Sequence, residues 1–237
     1  MSQSVDAADI ARFDALAGQW WDPRGPMRPL HMMNPIRAGW VLNRIAAQFG
    51  GPAVDLLDVG CGAGLLSEAL AGAGARVLGL DAATQAIAAA QAHAEGRGLP
   101  LSYRVGTAEA LVSEGAKFQV ITALEVIEHV PDQAAFIATL AALLVPGGLL
   151  FISTLNRTPR AFLAAKIGAE YLLRLLPIGT HNWRQFVTPA ELATQCRAAG
   201  LRLSDIAGLS FTARPPGFRV TRDTSINYIA LAQCGAV

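Results

Sequence analysis

The stretch that most constrains this chain runs from Val54 to Leu65, V-D-L-L-D-V-G-C-G-A-G-L. Val54, Leu56, Leu57 and Val59 make a short apolar run of the kind found in a buried parallel strand. Three glycines at alternate positions, Gly60, Gly62 and Gly64, end that run, and a helix-like segment, L-L-S-E-A-L-A, follows. Glycines permit a tight strand-to-helix turn and let a ligand approach the bare backbone. The next strand-like run, 75–80, leads into Asp81, whose carboxylate can accept from both hydroxyls of a ribose. A dinucleotide fingerprint places its third glycine three residues after the second. That position is Leu65 here, which argues against a nicotinamide-dependent oxidoreductase.

The rest of the chain alternates in the same manner. Helix-like 63–73, strand-like 75–80, helix-like 83–95, strands at 101–105 and 118–123, helix-like 132–144 and strand-like 149–154 follow the first strand, 54–59. Such alternation predicts an α/β domain with a parallel sheet and helices on both faces. Pro146-Gly147-Gly148 reads as the turn into the fifth strand. Thr188-Pro189-Ala190-Glu191 reads as a helix start, with Thr188 as N-cap and Glu191 in the capping-box place. Two late strands, about 201–207 and 226–233, bring the expected sheet to seven strands.

Two segments stand outside this scheme. Residues 6–20 and 36–48 have helical patterns, and between them lies W-W-D-P-R-G-P-M-R-P-L-H-M-M-N-P. Its prolines predict irregular structure, and its aromatics predict a cover, residues 1–50, folded over the ligand site. Residues 157–187 read as an insertion. Within it Lys166, Glu170 and Arg174 recur on one helical face, opposite Phe162, Leu172, Leu173 and Leu176. The amphipathic stretch 159–177 suits either a membrane interface or a lid packed on its own domain.

At 237 residues the chain is long enough for one such domain with a full core. It is 52% hydrophobic and 16% charged, yet no stretch reaches the roughly 18 uncharged apolar residues of a membrane span. There is no apolar signal core near the N-terminus, so a cytoplasmic location is expected. A net charge of +1 argues against nucleic acid as a partner. Cys61, Cys196 and Cys234 are widely spaced and in no metal pattern, as for reduced thiols. Cys61 reads as a small space-filling residue within the glycine turn.

The second cluster of chemistry is Leu124-Glu125-Val126-Ile127-Glu128-His129, at the end of the fourth strand. Spacings of three and four put Glu125, Glu128 and His129 on one face if this is a helical turn. Three readings stand side by side. The set can hold a divalent cation, Mg²⁺ or Mn²⁺ suiting its mostly oxygen ligands. Its members can instead be occupied in local hydrogen bonds. His129 can also act as a metal-free general base toward a substrate hydroxyl. Of the other histidines, His31 reads as a hydrogen-bonded residue of the cover, His93 as solvent-facing and His181 as a loop residue.

D-V-G-C-G-A-G with a strand-end Asp81 resembles the S-adenosylmethionine (SAM) site of class I methyltransferases. F-D-A-L-A-G-Q-W-W-D, P-L-H-x-x-N-P-x-R, E-V-I-E-H-V-P, F-I-S-T-L-N-R, G-A-E-Y and P-x-G-T-H together resemble the ubiquinone-biosynthesis O-methyltransferase family. The resemblance extends from about residue 8 to 231. It implies a seven-stranded Rossmann-like fold and SAM-dependent methylation of polyprenylated catechols. The substrates it implies are of the 2-polyprenyl-6-hydroxyphenol and 3-demethylubiquinol types. Carried over by motif, the cofactor contacts fall on Arg37, Gly60, Asp81 and Leu124, with Gly62 and Gly64 completing the turn. It also implies a divalent metal at Glu125, Glu128 and His129, peripheral association with the inner membrane face, and other ubiquinone-biosynthesis enzymes as partners. Methylation of another small catechol or phenol, and a non-catalytic SAM- or lipid-binding module, are the competing readings.

Overall fold

The computed structural model describes residues 7–167, 183–213 and 216–235. Five strands, β1 (Asp55–Val59), β2 (Arg76–Asp81), β3 (Leu101–Val105), β4 (Phe118–Leu124) and β5 (Leu144–Leu155), pair in parallel in the order β3-β2-β1-β4-β5. β8 (Asn227–Cys234) adds to β5 antiparallel, β6 (Leu201–Ala213) adds to β8, and β7 (Pro216–Thr221) adds to β6. Among the described residues the sheet therefore has eight strands, not the expected seven. The extra one arises because β6 continues to Ala213 and folds back on itself as a hairpin with β7. Pro216 opens β7, a place on an edge strand where no ladder N–H is needed.

Strand alternation sorts the core onto two faces. Leu56, Val120, Leu149 and Phe151 point to one side, against Trp40, Val41 and Ile45 of α2 (Arg28–Phe49) and Leu66 and Leu70 of α3 (Leu65–Gly72). Leu57, Ile121, Leu150 and Ile152 point to the other. There they meet α5 (Ala108–Ser113), α6 (Gln133–Leu143) and α8 (Pro189–Ala198). Helix α4 (Thr84–Ala94) packs near β2 and β3 and receives α1 (Ala7–Leu16). The start of α8 is the expected capping box: Thr188 Oγ1 accepts from the Glu191 N–H, and the Glu191 carboxylate accepts from the Thr188 N–H.

The proline-rich stretch is more regular than its composition predicts. Helix α2 begins at Arg28, not at 36, and carries Pro29 in its first turn and Pro35 in its interior. Pro29 costs little, since first-turn N–H groups have no helical partner. Pro35 removes one helical bond. What offsets that loss is the buried face of the helix, with Met33, Ala38, Trp40, Val41 and Ile45. Beyond β5, α7 (Pro159–Ile167) opens the insertion. The remainder of the expected amphipathic helix, with Glu170 and Arg174, and the expected loop residue His181 lie outside the described residues. No described helix is long and apolar enough to cross a membrane.

Candidate active site

The strand order reverses between β1 and β4, so their carboxyl ends border the crevice where open α/β sheets bind ligands. The glycine turn leaves β1 at this point. Gly60, Gly62 and Gly64 have φ of 67°, 54° and 89°, a region that side-chain-bearing residues seldom adopt. Space also demands glycine here. A Cβ on Gly60 would collide with Val126, on Gly62 with the Trp20 ring, and on Gly64 with the Tyr103 hydroxyl.

Three carboxylates surround the turn in different states. Asp58, buried one residue before the end of β1, accepts from Thr122 Oγ1 at 2.7 Å and Ser67 Oγ at 2.6 Å. Burial pushes its pKa up to about 6, against the pull of those two hydroxyls. Asp81, at the end of β2, accepts from the Gly62 N–H at 2.8 Å and the Ala83 N–H at 2.8 Å. Burial raises its pKa too. Two amide bonds leave lone pairs on a carboxylate, so Asp81 keeps capacity for further donors. Glu125 follows β4 and sits 4.0 Å from Arg37 Nη1.

Arg37 comes from the buried face of α2, one turn after Asn34, whose Nδ2 donates to the Leu65 carbonyl at 2.7 Å. Its guanidinium is buried and its Nε has no hydrogen-bond partner. Burial lowers its pKa, while the Glu125 and Asp58 charges pull the other way. A buried arginine with an unmet donor is suited to an anionic ligand group.

The Glu125–His129 segment departs from the expected helical turn. Glu125 has φ of 58°, the one positive value among the described non-glycine residues, and the short helical turn starts only at Ile127. The three side chains therefore do not share a helix face. Glu125 Oε1 accepts from Ser153 Oγ at 2.5 Å, and Glu128 Oε2 accepts from Thr154 Oγ1 at 2.9 Å. Adjacent residues of a strand face opposite sides of a sheet, so the two acids take their hydroxyl partners from opposite faces of β5. Glu125 lies on the Arg37 side. Glu128 is buried on the α6 side, where its pKa is pushed up to about 8 by burial and then by the Glu125 charge. Among the described residues no group of three His, Cys, Asp or Glu side chains is placed to hold a metal ion. The metal set expected at Glu125, Glu128 and His129 does not fit this arrangement. The ring of His129 is half-buried and meets Phe13 of α1 edge-on, with ring centres 5.9 Å apart.

The N-terminal segment lies against the glycine turn. Trp20 and Met27 pack on Ala63 and Leu65, and the Trp21 Nε1 donates to the Ala63 carbonyl at 2.9 Å. His31 bonds the Trp20 carbonyl at 2.8 Å, as a structural residue would. His93 is not the solvent-facing residue expected: it stacks on Trp21 at 3.4 Å and pairs with Glu68 at 2.7 Å. Its helical position gave no hint of a ring arriving from the N-terminal segment. Burial pushes the Cys61 thiol well up, which suits a filler and not a nucleophile. Asp58, Ser153 and Thr154 escaped the sequence reading. Their signal is polarity at the end of an otherwise apolar strand, in V-D-L-L-D-V and L-L-F-I-S-T.

The profile of a methyltransferase domain family matches residues 36–205. The ubiquinone biosynthesis O-methyltransferase of Parvibaculum lavamentivorans is 48% identical over 97% of this chain and 94% of its own length. That of Azorhizobium caulinodans is 45% identical with the same coverage. The chain belongs to the ubiquinone biosynthesis O-methyltransferase family. Among solved structures, the magnesium protoporphyrin IX methyltransferase of Synechocystis PCC 6803, with bound SAH, superposes with a TM-score of 0.67 at 21% identity. The match covers 96% of this chain and 94% of that one. The CcbJ methyltransferase of Streptomyces caelestis gives 0.67 at 17% identity, covering 95% of this chain and 98% of that one. At these identities the likeness speaks for the fold, that of class I SAM-dependent methyltransferases.

The state of Glu128 in this O-methyltransferase has a measurable consequence. Its folded-state pKa lies above the ordinary 4.5, so folding retains a proton that the unfolded chain releases. That contribution is whole below about pH 4.5 and is lost as pH rises towards about 8. Glu128→Gln mimics the protonated acid. The stability of this variant relative to wild type should rise from about pH 5 to about pH 8 in chemical denaturation. A difference that does not vary with pH would contradict a buried, protonated Glu128.

Proposed function

We propose that this methyltransferase transfers the methyl group of SAM to a phenolic oxygen of polyprenylated catechols, of the 2-polyprenyl-6-hydroxyphenol and 3-demethylubiquinol types. The observation that carries the reading is the charge layout at the β1/β4 switch point. A buried guanidinium, Arg37, stands to one side of the glycine turn, and Asp81, the acid ending β2, lies against its Gly62 amide. That layout suits the two ends of an amino acid joined to a nucleoside. Arg37 pairs with the carboxylate of SAM, and Asp81 accepts from the ribose hydroxyls. Gly60, Gly62 and Gly64 bring the backbone close to the ligand, and Leu124 borders it from the end of β4.

Bound there, SAM supplies an electrophilic methyl on its sulfonium. His129 takes the proton of the catechol hydroxyl. The resulting phenolate would take up the methyl that SAM would supply, the thioether leaving with the electron pair of the broken sulfur–carbon bond. Glu128, protonated behind the turn, holds the segment to β5 through Thr154. Most of the acceleration comes from positioning. Glu125 and Glu128 are engaged by the Ser153 and Thr154 hydroxyls, and among the described residues they form no metal-holding group with His129.

A polyprenyl substrate partitions into lipid, and the start of the insertion suits an enzyme resting on an anionic bilayer, peripheral to the inner membrane face. Phe162 and Leu163 are 47% and 58% exposed, and Phe162 meets the exposed Trp183 edge-on with ring centres 6.3 Å apart. Basic residues flank this patch, but Arg157 pairs with Glu191, and Arg160 lies 3.7 Å from Asp223. The apolar group therefore carries more of the attraction, and the charge less, than the basic content of 159–177 alone implies.

Methyl transfer from SAM to a short-chain catechol analogue, followed by mass spectrometry, tests the activity. His129→Ala should lower kcat about 100-fold with SAH affinity unchanged. Wild-type turnover that vanished in excess chelator and returned with Mg²⁺ or Mn²⁺ would contradict His129 as a metal-free base. For the membrane, the double change Phe162→Asp with Trp183→Asp should abolish co-sedimentation with phosphatidylglycerol vesicles while sparing turnover of a tail-less catechol. Equal sedimentation of variant and wild type would leave the insertion as a lid.

A further inference from the structure

We infer that Glu125 binds the α-ammonium of the SAM amino acid, forming with Arg37 a clamp for both charges of the zwitterion. The inference rests on the SAM-dependent reading of this site. An amino-acid zwitterion carries a cation and an anion a few bonds apart, and a water-poor site must answer both. Arg37 answers the carboxylate. The choice of anion narrows by elimination among the acids around the turn. Asp58 is 2% exposed, with both oxygens engaged by Ser67 and Thr122. Asp81 is turned toward the Gly62 and Ala83 amides at the nucleoside side. Glu128 faces the other side of the sheet with Thr154.

Glu125 alone of these combines access with a free acceptor. Its side chain is 27% exposed, 4.0 Å from the guanidinium of Arg37. One carboxylate oxygen takes the Ser153 hydroxyl, and the other accepts no hydrogen bond among the described residues. Ser153 fixes Glu125 twice, because its carbonyl also accepts the Glu125 N–H at 3.0 Å. Those two bonds hold the residue at φ of 58°, a strained conformation for a non-glycine residue. The strained backbone turns the acid out of the 127–129 helical turn and toward Arg37. In that orientation Glu125 is a cofactor-binding group, not a metal ligand, and Ser153 is its positioning residue.

Calorimetric titration with two probes separates this role from others. SAH carries the amino acid, and 5′-methylthioadenosine lacks it. Glu125→Gln should weaken SAH binding about 10- to 100-fold, the range for hydrogen bonds to charged groups, and leave 5′-methylthioadenosine unchanged. Ser153→Ala should weaken SAH about 3- to 10-fold, again without effect on the truncated probe. Wild-type SAH affinity should be equal in chelator and in Mg²⁺. Unchanged SAH binding by either variant, equal loss of both probes, or an SAH affinity that Mg²⁺ strengthens would overturn the assignment. A wild-type protein that bound neither probe would instead overturn the SAM-dependent reading itself. Should Glu125→Gln fail to fold, the Ser153→Ala titration decides alone.

Discussion

One carboxylate joins the three elements on which this site depends. Asp58 is the penultimate residue of β1, and its two oxygens take hydroxyls from Ser67 of α3 and Thr122 of β4. The glycine turn is thereby pinned from both sides at the place where the strand order reverses. Burying an acid is costly, which is why its pKa rises to about 6 even with two donors. What the cost secures is geometry. Removing either hydroxyl would leave a buried oxygen unmet, so the three elements hold one another in register. Arg37, Asp81 and Glu125 are then arranged around a fixed turn.

The second constraint is the period of two along β5. Ser153 and Thr154 are neighbours, so one hydroxyl serves each face of the sheet. Glu125 goes with the first, next to Arg37, and Glu128 with the second, on the turn whose Ile127 and Val130 pack with α6. A pattern of acids that suggests a metal set when read as a helix becomes two unlike groups when read on the strand beside it. One is accessible and paired with a cation; the other is buried and holds its proton.

Much of the fold is legible in the sequence, because long apolar runs and glycine punctuation are local signals. The strands at 101–105 and 118–124, the capping box at Thr188 and the glycine turn all follow from neighbours in the chain. The failures share a cause, which is that distant partners override local preference. Pro35 lies inside a helix because α2 buries a face against the sheet. β7 exists because β6 offers it an edge. His93 is covered by Trp21, 72 positions earlier in the chain. The place of Asp81 at the end of β2 and of the glycines in the turn after β1 is readable from spacing, and Arg37 is drawn in through family resemblance. The separation of Glu125 from Glu128 is not readable, since it depends on residue 153 and a positive φ that no local pattern announces.

The central claim is that SAM lies across the β1/β4 switch point, its amino acid toward Arg37 and its ribose toward Asp81. A crystal structure of the protein with SAH tests this most directly. The SAH carboxylate should lie within about 3 Å of the Arg37 guanidinium, and both ribose hydroxyls at a similar distance from the Asp81 carboxylate. SAH bound away from the glycine turn, or lying there with its adenosine toward Arg37, would contradict it.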